Sequence, residues 1–236
     1  RPDRFMIART LYGAASSSRA NKVMWIAREA GISYAHVTTP TKELKADPSY
    51  QQLNPKGTVP TWVEQTEAGE QLVVNESNTI VAYIAQAYGA EQGLYPDSVR
   101  AAASAWQWQE YGETSIQPVC SPIWWGYMRG SGYPLGPGSA LVPLDPIKLE
   151  AQAEKALSAF AVLDRHLADG RGFMLDDNLS FGDVTCGVHV NRLYKIVNTN
   201  PDTPIARGVA QMTHVRRWYD NLLSRQHYQD NVVANA

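Results

Sequence analysis

At 236 residues the chain can bury a substantial apolar core and falls in the range of one or two domains. Its charge is nearly balanced, 21 Lys and Arg against 23 Asp and Glu, which argues against recognition of nucleic acid or a membrane surface by bulk charge. No apolar run approaches the roughly 18 residues of a membrane span, residues 1–6 resemble no signal peptide, and Cys120 and Cys186 stand far apart in no metal-like spacing, so a soluble cytoplasmic protein with structural thiols and no metal is expected.

Arg9-Thr10-Leu11-Tyr12 reads as a first strand, and Gly13 ends it in a loop of small residues, 14–18, with three consecutive serines. From 20 to 30 the pattern becomes helical, with Val23, Ile26, Ala27 and Ala30 at three- and four-residue spacing and Gly31 as a stop. The serines thus lie between a strand end and a helix start, where outward N–H groups and the helix dipole stabilise an anion. A serine hydroxyl there can donate to a thiolate and hold its pKa down; the plainer alternative is that the serines only cap the helix. Residues 32–38 predict a second strand with Tyr34 or His36 on one face. The polar stretch 40–52 ends in a short helix near residues 50–53 and offers Lys42, Lys45, Gln51 and Gln52 as carboxylate partners.

Asn54-Pro55-Lys56-Gly57-Thr58-Val59-Pro60 then leads directly into Thr61-Trp62-Val63-Glu64. Pro55 and Gly57 mark a turn, and Pro60, with no N–H, abuts a strand whose ladder needs one. Two readings stand: an ordinary turn before an edge strand, or a cis Val59–Pro60 bond that presents the Val59 backbone to an extended ligand. Residues 61–64 and 71–74 form a predicted hairpin around Gly69. Glu76-Ser77-Asn78 precedes a helix over 79–88, with Ser77 as its N-cap and a second anion site, and Glu76 beside it as a receiver of an ammonium group. A bare helix cap is the alternative.

These elements predict an α/β domain over 7–90 and, after a Gly- and Pro-containing linker, an all-helical domain over 98–236 with no further strand. Its helices are expected over 99–119, where Pro118 and Pro122 should end or kink the first, then over 148–167, 184–197 and 205–223. A Gly- and Pro-dense loop separates the first two, over 130–146. Ser180 and Asp183 have capping-box spacing, with Asp in place of the commoner Glu. Aromatic residues crowd between Trp106 and Tyr133 and suggest an apolar pocket lined by Trp106, Tyr111, Trp124 and Tyr127 as well as core.

The order Leu11-Tyr12-Gly13, serines, Lys22-Val23-Met24-Trp25, then Asn54-Pro55-Lys56-Gly57-Thr58-Val59-Pro60, then Asn75-Glu76-Ser77-Asn78-Thr79-Ile80, and finally Ser180-Phe181-Gly182-Asp183 resembles the cytosolic glutathione transferase superfamily over nearly the whole chain, in the form of a serine-type, bacterial-like member. The resemblance implies a thioredoxin-like N-terminal domain that binds glutathione as co-substrate, an all-α C-terminal domain, a hydrophobic electrophile held in a cleft between them, and a homodimer using the helices that begin near Thr79 and Val99. It also implies roles. Ser17 would hydrogen-bond the glutathione sulfur, with Ser16 and Ser18 as neighbours that a one-residue shift would exchange with it. Val59, before cis Pro60, would pair with the cysteinyl part, and Glu76 and Ser77 would bind the γ-glutamyl amino and carboxylate groups. Gln52, Lys45 or Lys42 would reach the glycine end, and Arg19 would steer the anion. The implied reaction is thiolate attack on an apolar electrophile; alternatives are glutathione-dependent dehalogenation, ether cleavage or peroxidase chemistry, or a non-catalytic glutathione-binding module.

Overall fold

In the computed structural model, which describes residues 8–129, 133–134, 141–142 and 145–235, the strands β1 (Ala8–Tyr12), β2 (Ala35–Val37), β3 (Thr61–Gln65) and β4 (Gln71–Asn75) form one sheet in the order β2-β1-β3-β4. β1 runs parallel to β2, which demands a crossover, and α1 (Ser18–Glu29) supplies it. β3 is antiparallel to both β1 and β4. In register, Tyr12 pairs with Val37 and Thr61, and Thr61 pairs with Asn75. One end of the sheet therefore carries the loop after β1, the turn before β3 and the residue after β4.

β3, buried along its first four residues, and the helical stripes decide the core. α1 buries Val23, Trp25, Ile26 and Ala27, and α4 (Ser77–Tyr88), against which it packs, buries Ile80, Val81, Ile84 and Ala85. Each large side chain so buried contributes roughly 1.5–3 kcal/mol. Two short helices, α2 (Thr41–Ala46) and α3 (Pro48–Leu53), stand where the sequence predicts only one. The Asp47 carboxylate accepts from Ser49 N (2.8 Å) and caps α3, whose Pro48 occupies a position needing no donor. This is the thioredoxin-like α/β arrangement that the resemblance implies.

The chain divides into two compact units, one running to Pro96 and taking in the segment from Gln226, the other covering Asp97–Arg225. The last segment departs from the boundaries read in the sequence. After Arg225 the chain leaves the helical unit, and the ring of Tyr228 sits edge-on to Trp25 of α1, 4.8 Å between centroids, both fully buried.

The second unit begins with α5 (Val99–Tyr111). The chain passes through a wide π-type turn, Gly112–Ile116, into α6 (Gln117–Trp124) and a second such turn, Trp125–Arg129. Regular α-helix stops at Tyr111, before the prolines expected to end or kink it, and the chain stays helical through both, with Pro118 in the first turn of α6 and Pro122 inside it. α7 (Pro146–His166), α8 (Phe181–Thr199), α9 (Pro204–Val209), α10 (Thr213–Leu223) and α11 (Gln226–Tyr228) follow. The single helix expected over 205–223 is broken, because the Asp164 carboxylate of α7 accepts from both His214 N and Val215 N (2.9 Å each) and starts α10 afresh. α5 and α8 approach closely through glycine: a Cβ on Gly182 would lie 2.9 Å from Ala105 Cα, and one on Gly112 2.7 Å from Thr185 Cγ2. Tyr133–Pro134 pairs antiparallel with Leu141–Val142, so a two-residue ladder does occur beyond Ser98. Most of the loop expected over 130–146 lies outside the described residues. No helix among the described residues is long and apolar enough to cross a membrane.

Candidate active site

Ser17 is the N-cap of α1. Its backbone is extended (φ −80°, ψ 119°), and its hydroxyl accepts from Ala20 N at 3.4 Å, a long bond that leaves its own O–H to donate. Ser16 is exposed and Ser18 is already the first helical residue, so of the three serines Ser17 holds the cap. The loop around it is pinned from two sides. His36 Nε2 lies 2.7 Å from the Gly13 carbonyl, and the buried Asn21, with its NH2 group facing the loop, donates to the carbonyls of Ser17 (3.0 Å) and Ala15. Asn21 carries no sequence signal for this work beyond its proximity to the serines, and His36, on β2, carries none.

Gly13 also shows how the loop meets the second element of the site. A Cβ placed there would lie 3.1 Å from Ala20 Cβ, 3.6 Å from Val59 Cβ and 3.7 Å from Pro60 Cα. The start of α1 and the turn before β3 thus converge on one glycine. The Val59–Pro60 peptide bond is cis, the second of the two readings left open by the sequence. Among the described residues neither the N–H nor the C=O of Val59 has a hydrogen-bond partner. Gly57 takes φ +61° and touches the stem of Lys45, where a Cβ would stand 2.8 Å from Cγ, so both the conformation and the space demand glycine.

At the third element the structure corrects the sequence reading: Ser77 is the first residue of α4, and the cap position belongs to Glu76, whose φ of +69° is in the left-handed region and whose side chain makes no capping bond. Ser77 is buried and Glu76 exposed, its carboxylate paired with the ammonium of Lys56. The buried Lys22 of α1 donates to Asn78 Oδ1 (3.1 Å), tying the starts of α1 and α4 together. Lys56 and Lys22 were not singled out as site residues by sequence, although both lie inside motifs that were.

The candidates for the glycine end sit on α2 and α3. Lys42, Lys45 and Gln52 are exposed, and Gln51 is committed by its side-chain bond to Lys45 O (2.7 Å). The four candidate pocket residues separate. Trp106 is 37% exposed and meets Phe181 edge-on. Tyr111 donates its hydroxyl to Ala159 O of α7 (3.0 Å), and Trp124 is buried beneath the Arg192 guanidinium, 5.0 Å from its ring centroid. Tyr127 is half-buried, its phenol pushed up by burial and then by Glu150. Burial raises the Cys120 thiol to about 12, so it stays protonated and unreactive at neutral pH.

Comparisons with known proteins fall on both units. The glutathione S-transferase N-terminal domain family matches residues 11–92, and the C-terminal domain family matches residues 147–221. The chain is 24% identical over 217 residues to glutathione S-transferase GstB of Escherichia coli strain K12, covering 92% of this chain and 93% of that one. It is 25% identical over 225 residues to glutathione S-transferase 3 of Zea mays, covering 95% and 93%. Among solved structures it is similar to the theta class glutathione S-transferase from the citrus canker pathogen Xanthomonas axonopodis pv. citri with glutathione bound, with TM-score 0.74, 28% identity, and coverage of 96% of this chain and 98% of that one. The chain belongs to the glutathione S-transferase superfamily. It is a glutathione transferase with the thioredoxin-like and helical halves of that fold.

Proposed function

We propose that this transferase is of the serine type and activates the glutathione thiol as a thiolate at Ser17. In this reading the Val59 backbone pairs with the cysteinyl part, and Glu76 and Ser77 take the γ-glutamyl amino and carboxylate groups. Lys45 and Gln52 serve the glycine end, and the aromatic side chains of the helical unit, Trp106 foremost, receive an apolar electrophile. The observation that carries the reading is the row Tyr12, Thr61 and Asn75 across three paired strands. It puts the Ser17 loop, cis Pro60 and Glu76 at the same end of one sheet, as three anchors for one tripeptide would need.

The chemistry needs no dedicated base. A free thiol near pKa 8.5 is only a few per cent ionised at neutral pH, and a shift of about two units makes the thiolate the majority. The Ser17 O–H, the first-turn N–H groups and the dipole of α1 all favour the anion. With an aryl halide the sulfur–carbon bond forms, the halide leaves with its electron pair, and the thiol proton has already passed to solvent. The protein is further proposed to act in the cytoplasm, where Cys120 and Cys186 stay as free thiols, and as a homodimer, which sedimentation would test.

The test is a pH titration of the thiolate absorbance of bound glutathione. In the native protein its midpoint should lie about two units below that of free glutathione; in Ser17→Ala it should rise toward the free value, with the conjugation rate at pH 7 falling by up to roughly 25-fold, the limit reached if the whole shift is lost. An unchanged midpoint and an undiminished rate would remove Ser17 from the mechanism, and the same loss in Ser16→Ala would reassign the role.

A further inference from the structure

The turn that presents Val59 is held from beneath by side chains that the proposed function leaves without a task. Tyr50, Asn54 and Thr61 are buried, at 2%, 2% and 0% exposure. The Thr58 carbonyl accepts two bonds, from Tyr50 OH (2.5 Å) and Asn54 Nδ2 (2.8 Å). Thr61 Oγ1 lies 2.8 Å from Tyr50 OH, 3.1 Å from Asn54 Nδ2 and 2.8 Å from Asn75 Oδ1. Asn54 Oδ1 in turn accepts from Lys56 N (3.2 Å) inside the same turn.

The protons can be assigned. Asn75 Nδ2 donates to Leu53 O (3.0 Å), so its amide oxygen faces Thr61 and can only accept; the Thr61 hydroxyl must donate to it. Thr61 Oγ1 is then an acceptor, for Asn54 and for the Tyr50 hydroxyl, whose proton is shared between the Thr58 carbonyl and Thr61 Oγ1. Burial pushes the Tyr50 phenol up, so it remains a donor throughout the working pH range.

This matters because a peptide is planar. The Thr58 C=O and the Val59 N–H belong to one peptide unit, and fixing the direction of the first fixes the second. We propose that the Tyr50–Asn54–Thr61–Asn75 network is a positioning device for the Val59 N–H, with Tyr50 and Thr61 setting the donor that the cysteinyl part of glutathione meets. The network does not touch the sulfur or Ser17. It governs how well the thiol substrate is held at its middle, and it links that anchor to the last residue of β4, directly before Glu76. The inference rests on the proposed role of Val59.

The test uses the full chain, glutathione and an aryl chloride as electrophile. Tyr50→Phe removes one of the two donors to Thr58 O and should raise both the Kd by calorimetry and the KM for glutathione roughly 3- to 10-fold, the effect of one hydrogen bond, with kcat unchanged within about twofold. Thr61→Val should do the same or more, and Thr61→Ser, which keeps the hydroxyl, should restore native values. Should Thr61→Val fail to fold, Tyr50→Phe and Thr61→Ser decide the matter. Unchanged glutathione affinity in folded Tyr50→Phe, or a fall in kcat with KM unmoved, would overturn the positioning role while leaving the Val59 anchor in place. Native protein that binds no glutathione would instead overturn the reading on which it rests.

Discussion

Ser17 and Ser180 both stand as N-caps with extended backbones, φ −80° and −128°, yet the two helix starts leave very different things to a ligand. At Ser180 the N3 residue is Asp183. Its carboxylate accepts from Ser180 N (3.0 Å), Ser180 Oγ (3.1 Å), Met174 N (2.8 Å) and Trp218 Nε1 (3.1 Å), and the whole cluster is buried. At Ser17 the N3 residue is Ala20, the cap is one long bond, and the serine is half-buried. The same residue type at the same helical position is sealed when an acid answers it and is left with its own O–H to donate when none does, which is what the proposed role of Ser17 needs. The start of α4 extends the series: Glu76 holds the cap position at left-handed φ and makes no side-chain capping bond.

The comparison breaks most visibly at Asp183. Replacing it with Ala strands three buried N–H donors and one hydroxyl, and the helical unit should lose about 3–5 kcal/mol in urea unfolding. Ser17→Ala, by contrast, should cost under about 1 kcal/mol of stability, with its damage confined to the thiol. A loss at Asp183 no larger than that at Ser17 would dissolve the distinction between seal and site.

A second consequence concerns pH. Burial pushes the Asp183 carboxyl up to about 6 even though four donors pull it down. The folded state then holds this proton more tightly than the unfolded chain, whose value is the ordinary 3.8. The stability contributed by that proton is present in full below about pH 4 and is lost as pH rises through about 6. The change is about 3 kcal/mol, and Asp183→Asn should flatten that part of the stability profile. A native slope of opposite sign between pH 4 and 6 would show that the four donors outweigh burial and that the cap is an anion.

Local chemistry explains how much of this could be read from the sequence. The capping box at Ser180 and Asp183 and the turn from Asn54 to Pro60 were legible because the interacting residues are neighbours in the chain and each residue type has one dominant use there. The restart of α10 was not, because its cap, Asp164, comes from another helix. The π-type turns on either side of α6 were hidden in the same way, since they leave no distinctive residue pattern. Ser77 was read as the cap in place of Glu76 because a left-handed glutamate has no sequence signature, whereas a serine before a helix does. Glu64 was passed over as an ordinary strand residue. It is buried and accepts from Trp62 Nε1 (2.9 Å), Tyr83 OH (2.7 Å) and Tyr88 OH (2.8 Å), beside Arg9, partners that only the folded sheet and α4 bring together.

The smallest expected effect sharpens the comparison at the start of α4. Glu76, the proposed receiver of the γ-glutamyl ammonium group, is paired with the ammonium of Lys56, the two side chains being 60% and 63% exposed. The two cations then compete for one carboxylate. An exposed pair of this kind is worth about 0–1 kcal/mol, so Lys56→Met should lower the glutathione KM by no more than about fivefold at low ionic strength. Screening shortens the reach of surface charges to about 3 Å in 1 M salt, and the difference between native and variant should close there. A rise in KM would reverse the assignment, making Lys56 a partner for a ligand carboxylate and not a competitor for Glu76. Either direction distinguishes α4 from α8, where no ligand has a side chain to displace.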